Sequence, residues 1–210
     1  MADWSGIGVV AGDDGHARCG WCTSAPDYVA YHDDEWGRPV TDDTRMYEKI
    51  CLEGFQSSLS WLTILRKREG FRRAFAGFAP DVVARFGPAD VERLVADAGI
   101  VRHRGKIEAA IANARATLDA QERHGSLAAV VWSFEPPREG RPVPAVLGDL
   151  PPTTAESVAL SKALRKLGFR FVGPTTAYAA MQALGVVNDH LAGCHVRDAC
   201  EHDRRTIGPV

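Results

Sequence analysis

Glu53 stands where a carboxylate can do chemistry. It lies in residues 47–65, YEKICLEGFQSSLSWLTIL, beside Gly54 and ahead of Gln56, two serines and Trp61. At helical spacing Leu52, Phe55, Leu59 and Leu62 form one stripe, and Glu53, Gln56, Ser57 and Ser60 a second. Two readings are open. In one, the polar stripe of an amphipathic helix faces solvent. In the other, a buried carboxylate and an aromatic ring line a pocket. A carboxylate in apolar surroundings is costly unless paired, hydrogen-bonded or protonated, which makes such a group a functional candidate.

A second constellation uses thiols and imidazoles. Cys19, Cys22 and His32 lie near the start, among Trp21, Tyr28, Tyr31 and Trp36; His190 and Cys194 lie near the end. One helical turn separates His190 from Cys194, so both can face one metal. Two thiolates with two imidazoles suit tetrahedral zinc, and four protein ligands leave no open position for catalysis. Such a site would fasten the two ends of the chain together and contribute to folding. Cys22, His195, Cys200 and His202 are rival ligands, Cys19-x2-Cys22 is itself a metal-like spacing, and separate buried residues would satisfy the same sequence.

The third constellation is GFRFVGPT, residues 168–175, between a segment ending in Leu164 and Leu167 and a helix opened by Pro174 and Thr175. Two glycines permit positive φ and close approach of another backbone. The N–H groups of the next helix start then suit a DNA phosphate. An ordinary αα-corner has the same sequence signals.

These residues need elements to position them. The 210 residues suffice for one core, at 45% hydrophobic and 25% charged content, and no apolar run nears the ~20 residues that span a bilayer. The first residues are acidic where a signal peptide is basic, so the chain is expected to be cytoplasmic, and its five cysteines to be thiols or ligands rather than a disulfide framework. Net charge is −2, which excludes a global basic field; basic residues instead cluster locally at Arg66–Arg73, Arg102–Lys106 and Lys162–Arg170. Thr41 or Asp42 can cap a helix entering residues 47–65. Further helices are expected at 69–76, 80–86, 88–98 and 106–124. The six prolines of 135–152 make a loop, and Thr153 with Glu156 starts a helix to Leu167, followed by another over 175–185. No alternating run is long enough for a strand. The reading is all-α: a loose extension at 1–17, one helical domain at 18–196 and a charged, mobile tail at 197–210.

Taken together, RCGWC, YVAYHDDEWG, ICLEG, LSWLTILRKRE, AGIVRHRGKI, WSF, SKALRKLGFRFVG and VNDHLAGC, in this order from Arg18 to Cys194, resemble the 3-methyladenine DNA glycosylase I family. The resemblance implies an all-helical, helix-hairpin-helix-type fold and removal of 3-methyladenine from alkylated DNA. It implies one structural zinc held by Cys19, His32, His190 and Cys194. It puts Glu53 at the base as the catalytic residue, with Tyr28, Tyr31 and Trp61 as aromatic neighbours and Trp36 close by. Leu59 matches the residue that wedges into the gap left by the flipped base, and Gly168, Arg170, Gly173 and Thr175 belong to the DNA-gripping hairpin. Ser57-Ser58 stands where the family has a small Ala-Gly pair, and Cys22 adds a thiol to the first motif.

A 3-methylated adenine in DNA is cationic and its glycosidic bond already weak, so extraction and selection matter more than acid catalysis. Aromatic rings can stack on the flipped base, and Glu53 can accept hydrogen bonds from its edge. Asp189, downstream of the hairpin, could face the sugar or support the adjacent His190. No lysine directly follows the hairpin, so a monofunctional hydrolase is expected. The expected partners are double-stranded alkylated DNA and released 3-methyladenine, with no membrane and a monomeric chain. A zinc-stapled DNA-binding module without catalysis, or a glycosylase for another lesion, would use the same parts.

Overall fold

The computed structural model describes residues 5–207; what the sequence suggests for 1–4 and 208–210 lies outside the described residues. Among the described residues ten α-helices carry the fold: α1 Pro26–Asp34, α2 Asp43–Gln56, α3 Trp61–Ala74, α4 Pro80–Val83, α5 Pro88–Ala96, α6 Arg104–His124, α7 Leu127–Trp132, α8 Ala155–Lys166, α9 Pro174–Ala183 and α10 Arg197–Thr206. A short antiparallel pair, β1 Val9–Ala11 and β2 Ala17–Cys19, precedes them, with Val10 opposite Arg18. No helix among the described residues is long and apolar enough to cross a membrane.

Helix α2 is central and packs against α3, α6, α7 and α9. Its start is doubly tied. Asp42 accepts a hydrogen bond from the Arg45 N–H as the N-cap, and the Asp43 carboxylate takes the Leu127 and Ala128 N–H groups at the start of α7. Below it, Phe55, Phe71, Phe75 and Phe78 stack into a continuous buried column with centroid spacings of 4.6, 6.3 and 5.4 Å. Ala109, Ala110, Ala114, Ala116 and Ala120 of α6 are buried, and their small side chains let that helix lie close against its neighbours; Tyr47 Oη donates to Ala110 O at 2.8 Å.

Helix α6 also holds the two loops that face outward beside α2. Lys106 Nζ donates to Phe55 O at 3.0 Å and Ser57 O at 2.6 Å, giving the last carbonyls of α2 a partner. Two turns on, the buried Asn113 brackets the backbone of Arg170: Oδ1 accepts from its N–H at 2.7 Å and Nδ2 donates to its carbonyl at 3.2 Å.

Several sequence expectations need correction. Residues 47–65 are two helices, because the chain breaks at Ser57–Ser60: Ser58 takes φ +70°, and Ser60 caps α3 by accepting from the Thr63 N–H. The apolar stripe breaks with it. Leu52 and Phe55 are buried, while Leu59 on the loop is 42% exposed. The helix start near 153 moves by one residue, since Thr154 and Ser157 form the reciprocal hydroxyl–backbone pair. The extension over 1–17 is not loose throughout, because Val9–Ala11 pair with the strand that leads into Cys19. Arg197–Thr206 of the charged tail form helix α10, which buries Cys200 and Arg204.

Candidate active site and metal cluster

The rings of the first third of the chain gather around the C-terminal half of α2. Trp21, Tyr28, Tyr31, Trp36 and Trp61, with Glu53, Gln56, Leu150, Ala179 and Gln182, line a cavity of about 210 Å³. Tyr28, Tyr31 and Trp36 come from α1 and the turn after it, and Trp61 from the first turn of α3. Trp21 packs edge-on against both Tyr28 and Trp36, at 4.9 and 5.1 Å, and Tyr31 lies 5.3 Å from Trp61. Glu53 is 6% exposed and faces this apolar wall. The solvated-stripe reading of Glu53 therefore fails.

Glu53 is not alone. Lys49, one helical turn earlier on α2, places Nζ 2.8 Å from Glu53 Oε1 and donates to Tyr31 Oη at 2.6 Å. The same ammonium sits 3.4 Å from the centroid of the Trp61 ring. Its three N–H donors thus meet a carboxylate, a phenol oxygen and a π-face. Burial lowers its proton affinity and the Glu53 charge opposes that. Burial, reinforced by the Glu53 charge, pushes the Tyr28 phenol up to about 12 and the Tyr31 phenol well above its ordinary value, so both remain neutral hydrogen-bonding rings at physiological pH. Trp61 Nε1 is buried with no partner.

Behind the cavity lies the thiol–imidazole cluster. Cys19, His32, His190 and Cys194 are all buried, and their ligand atoms lie within 4.8 Å of one another. His32 Nε2 is 3.2 Å from His190 Nδ1, and Cys194 Sγ is 3.5 and 3.6 Å from these two nitrogens. Cys19 Sγ is 3.8 Å from His190 Nδ1. A tetrahedral ion with bonds of about 2.0–2.3 Å has ligand–ligand edges of about 3.3–3.8 Å. The outer ring nitrogens fix which inner atoms carry lone pairs: His32 Nδ1 donates to Asp33 Oδ1 at 2.7 Å, and His190 Nε2 to Trp36 O at 2.9 Å. Two neutral imidazoles would aim lone pairs at each other across 3.2 Å, an arrangement that a shared proton or a metal cation between them relieves. The Leu191 N–H donates to Cys19 Sγ at 3.3 Å, as suits a thiolate. Gly37 is required here: its φ is +79°, and a Cβ would lie 2.7 Å from His190 Nε2. The cluster could hold a metal ion. Of the rivals, Cys22 and Cys200 are buried outside it, His195 Nε2 pairs with Asp33 Oδ1 instead, and His202 is exposed on α10.

Asp33 organises this side. Burial raises its pKa, but hydrogen bonds from Arg18, His32 and His195 outweigh that and hold it at about 2. Asp189 is likewise engaged: Oδ1 accepts from Arg141, and Oδ2 accepts from Tyr178 Oη and Gln182 Nε2. It thereby orients Gln182, a lining residue of the cavity that the sequence did not single out, as it did not single out Trp21 or Lys49. The Lys49–Glu53 spacing of four residues was the available signal.

Between α8 and α9 the chain turns through Gly168, at φ +101°, and Phe171, at φ +55°. Ser161 Oγ donates to Val172 O inside the turn. Arg170, Phe171 and Thr175 are exposed, and Phe171 and Leu59 are two of the few large apolar side chains on the surface, 41% and 42% exposed. The structure thus brings Tyr28, Tyr31, Trp36, Glu53 and Trp61 to one cavity and Cys19, His32, His190 and Cys194 to another point. Leu59 and the 168–175 turn stand outside both, on loops that α6 holds.

The model of the family described as methyladenine glycosylase matches residues 21–198. DNA-3-methyladenine glycosylase 1 of Escherichia coli is 52% identical over 177 residues, 84% of this chain and 95% of that protein. A crystal structure of 3-methyladenine DNA glycosylase I superposes with a TM-score of 0.80 at 50% identity, over 85% of this chain and 98% of its own. The Staphylococcus aureus 3-methyladenine DNA glycosylase I, whose structure concerns 3-methyladenine recognition, gives 0.79 at 34% identity, over 86% and 96%. With most of its length matched in sequence and in fold, the chain belongs to the methyladenine glycosylase family.

Proposed function

We propose that this chain hydrolyses the N-glycosidic bond of 3-methyladenine in alkylated double-stranded DNA, and that the flipped base enters the cavity at Glu53. Family membership supports the activity. The observation that carries the site is a carboxylate only 6% exposed, walled by five aromatic rings and next to an outward-facing turn. Damaged, poorly paired bases are the cheapest to extrude, at a few kcal/mol. The rings stack on the base and exclude water. Glu53 accepts hydrogen bonds from its edge, and Gln182, with one of its two amide N–H groups committed to Asp189, has its carbonyl oxygen and its other N–H for the base. The Gly168–Thr175 turn acts as a helix-hairpin-helix element, presenting the first N–H groups of α9 to a phosphate. Leu59 enters the gap in the duplex.

Zinc is the metal we assign to Cys19, His32, His190 and Cys194, on the donor set and the tetrahedral edge lengths. A closed four-ligand site of this kind supplies structure. Here it holds the backbone carbonyl of Trp36 and hence one wall of the cavity. Five free, buried cysteines suit a reducing compartment, and we read the protein as cytoplasmic.

The test is release of free base from methylated DNA by the wild-type protein and by Glu53→Gln. The substitution keeps the shape, removes the charge and exchanges an acceptor for a donor. Losing a hydrogen bond to a charged group is worth about 1.5–3 kcal/mol, so affinity for 3-methyladenine should fall about ten- to a hundredfold. Unchanged affinity would remove Glu53 from the site, and no base release at all would leave a DNA-binding module.

A further inference from the structure

We propose that Lys49 is a built-in cation that makes the pocket prefer the neutral, departing base over the charged base still attached to DNA. This rests on the reading that the Glu53 cavity holds the base. A carboxylate and an aromatic face are the groups that would reward a cationic ligand. Both are already occupied by one: Lys49 Nζ is 2.8 Å from Glu53 Oε1 and 3.4 Å from the centre of the Trp61 ring, and it donates to Tyr31 Oη at 2.6 Å. The Lys49 side chain is only 13% exposed, so water screens it little. It rises from the far side of the Tyr31–Trp61 wall, where it lines a separate cavity with Leu52, Arg45, Glu48 and Arg68. The base can therefore enter from the Glu53 side without Lys49 having to leave.

The charge of the lesion moves during the reaction. As the C1′–N9 bond breaks, its electron pair goes to N9, the positive charge leaves the base, and C1′ gains oxocarbenium character. Water then adds to C1′ and gives up a proton. The base thus arrives positive and departs neutral. A fixed ammonium at the pocket wall repels charge on the enclosed base more than charge that has moved out to C1′, and does not repel the neutral departed base. Its contribution is therefore differential, which is the kind that raises the rate of the chemical step. The same wall neutralises Glu53, so this carboxylate serves as a hydrogen-bond acceptor rather than as a trap for cations. Lys49 on this account is a specificity-determining and positioning residue, and Glu53 and Trp61 touch the base.

Two probes separate the states. 3-Methyladenine is the neutral departing base, and 3,9-dimethyladeninium carries the charge of the lesion with a methyl group in place of the sugar. Each is titrated into wild type, Lys49→Met and Lys49→Arg, followed by tryptophan fluorescence. Wild type and Lys49→Arg should favour the neutral base. Lys49→Met should bind the cation at least about tenfold more tightly than wild type does, with a smaller change for the neutral base. On methylated DNA, Lys49→Met should lower KM and kcat together, since it stabilises the charged ground state. If Lys49→Met moves both affinities equally, or lowers kcat without any gain in cation binding, Lys49 is a structural partner of Glu53 and the proposal falls. If neither probe binds any of the three proteins at this cavity, the pocket assignment itself has failed. A Lys49→Met chain too unstable to titrate is replaced by Lys49→Gln, which keeps a donor for Glu53 without the charge, and the same criteria apply.

Discussion

Replacing Asn113 should loosen the 168–173 turn, which we propose grips DNA, without touching it. Asn113 is 2% exposed, and its amide supports Arg170 through two bonds, one accepted at 2.7 Å and one donated at 3.2 Å. A neutral hydrogen bond contributes about 0.5–1.5 kcal/mol net, so Asn113→Ala removes about 1–3 kcal/mol of global stability. Arg170 is exposed, and water can partly take over its N–H and carbonyl, which favours the lower half of that range. The larger effect falls on the turn. Without the bracket, residues 168–173 must be ordered at the moment of DNA contact, and about 1–2 kcal/mol of that ordering appears as a five- to thirtyfold weaker Kd.

The matched control is Thr117→Val. Thr117 is buried on the same helix, but its hydroxyl donates only to Asn113 O within α6, so its loss costs stability without releasing the turn. Urea unfolding measures the first effect, fluorescence anisotropy with an undamaged duplex the second, and amide hydrogen exchange at 168–173 the mechanism. Asn113→Ala should raise exchange in the turn and weaken DNA binding, and Thr117→Val should do neither. Equal DNA affinity and equal exchange in the two variants would refute the idea that α6 sets the turn.

Cys194→Ser should strip most of the metal and lower Tm by on the order of 10 °C, since a lost structural zinc removes several kcal/mol at about 2–4 °C each in a chain of this size; full metal content with unchanged Tm would exclude Cys194 as a ligand. Gly173 has an ordinary φ of −62° and only Arg165 Nη2, at 3.8 Å, near where a Cβ would stand, so Gly173→Ala should leave Tm unchanged. It should nevertheless weaken binding to methylated and unmethylated duplexes alike, because phosphate contacts carry no base information; a loss confined to methylated DNA would move the turn into the base pocket. Lys106→Met should cost about 1.5–3 kcal/mol, partly offset because burial already disfavours the ammonium, and should lower excision more than binding of free base by freeing the Leu59 loop. Equal losses in a base-binding titration and a DNA excision assay would argue against that loop role.

The sequence made the cavity legible to the extent that its parts are local. The apolar flank of Glu53 allowed a buried carboxylate with one ring beside it; Tyr28, Tyr31 and Trp36 joined that pocket only through the family resemblance, and Asp42 was one of two candidate caps. What could not be read were arrangements completed from far away. The serines at 57–60 read as helix surface until Lys106, 49 residues on, takes the Ser57 carbonyl. The string RDACEHDRRT reads as a solvated tail. It folds inward because Arg204 meets Glu201, Val186 O and the distant Glu135, at 2.7–2.9 Å. Three-residue strands are too short to show alternation. Gln182 enters the site only through Asp189, a link that no spacing reveals.

The thiol–imidazole cluster also has a history in time. His32 and Cys194 are 162 residues apart, and Cys19 and His190 are 171. At about 5–20 residues per second, a ribosome finishes the second half of the ligand set roughly ten to thirty seconds after the first. Until then Cys19 and His32 are only half of the ligand set we propose, and the Cys19 thiol lacks its buried neighbours and is open to oxidants. The Trp36 carbonyl then has no His190 to donate to it, so a nascent chain lacks this support for one wall of the aromatic cavity.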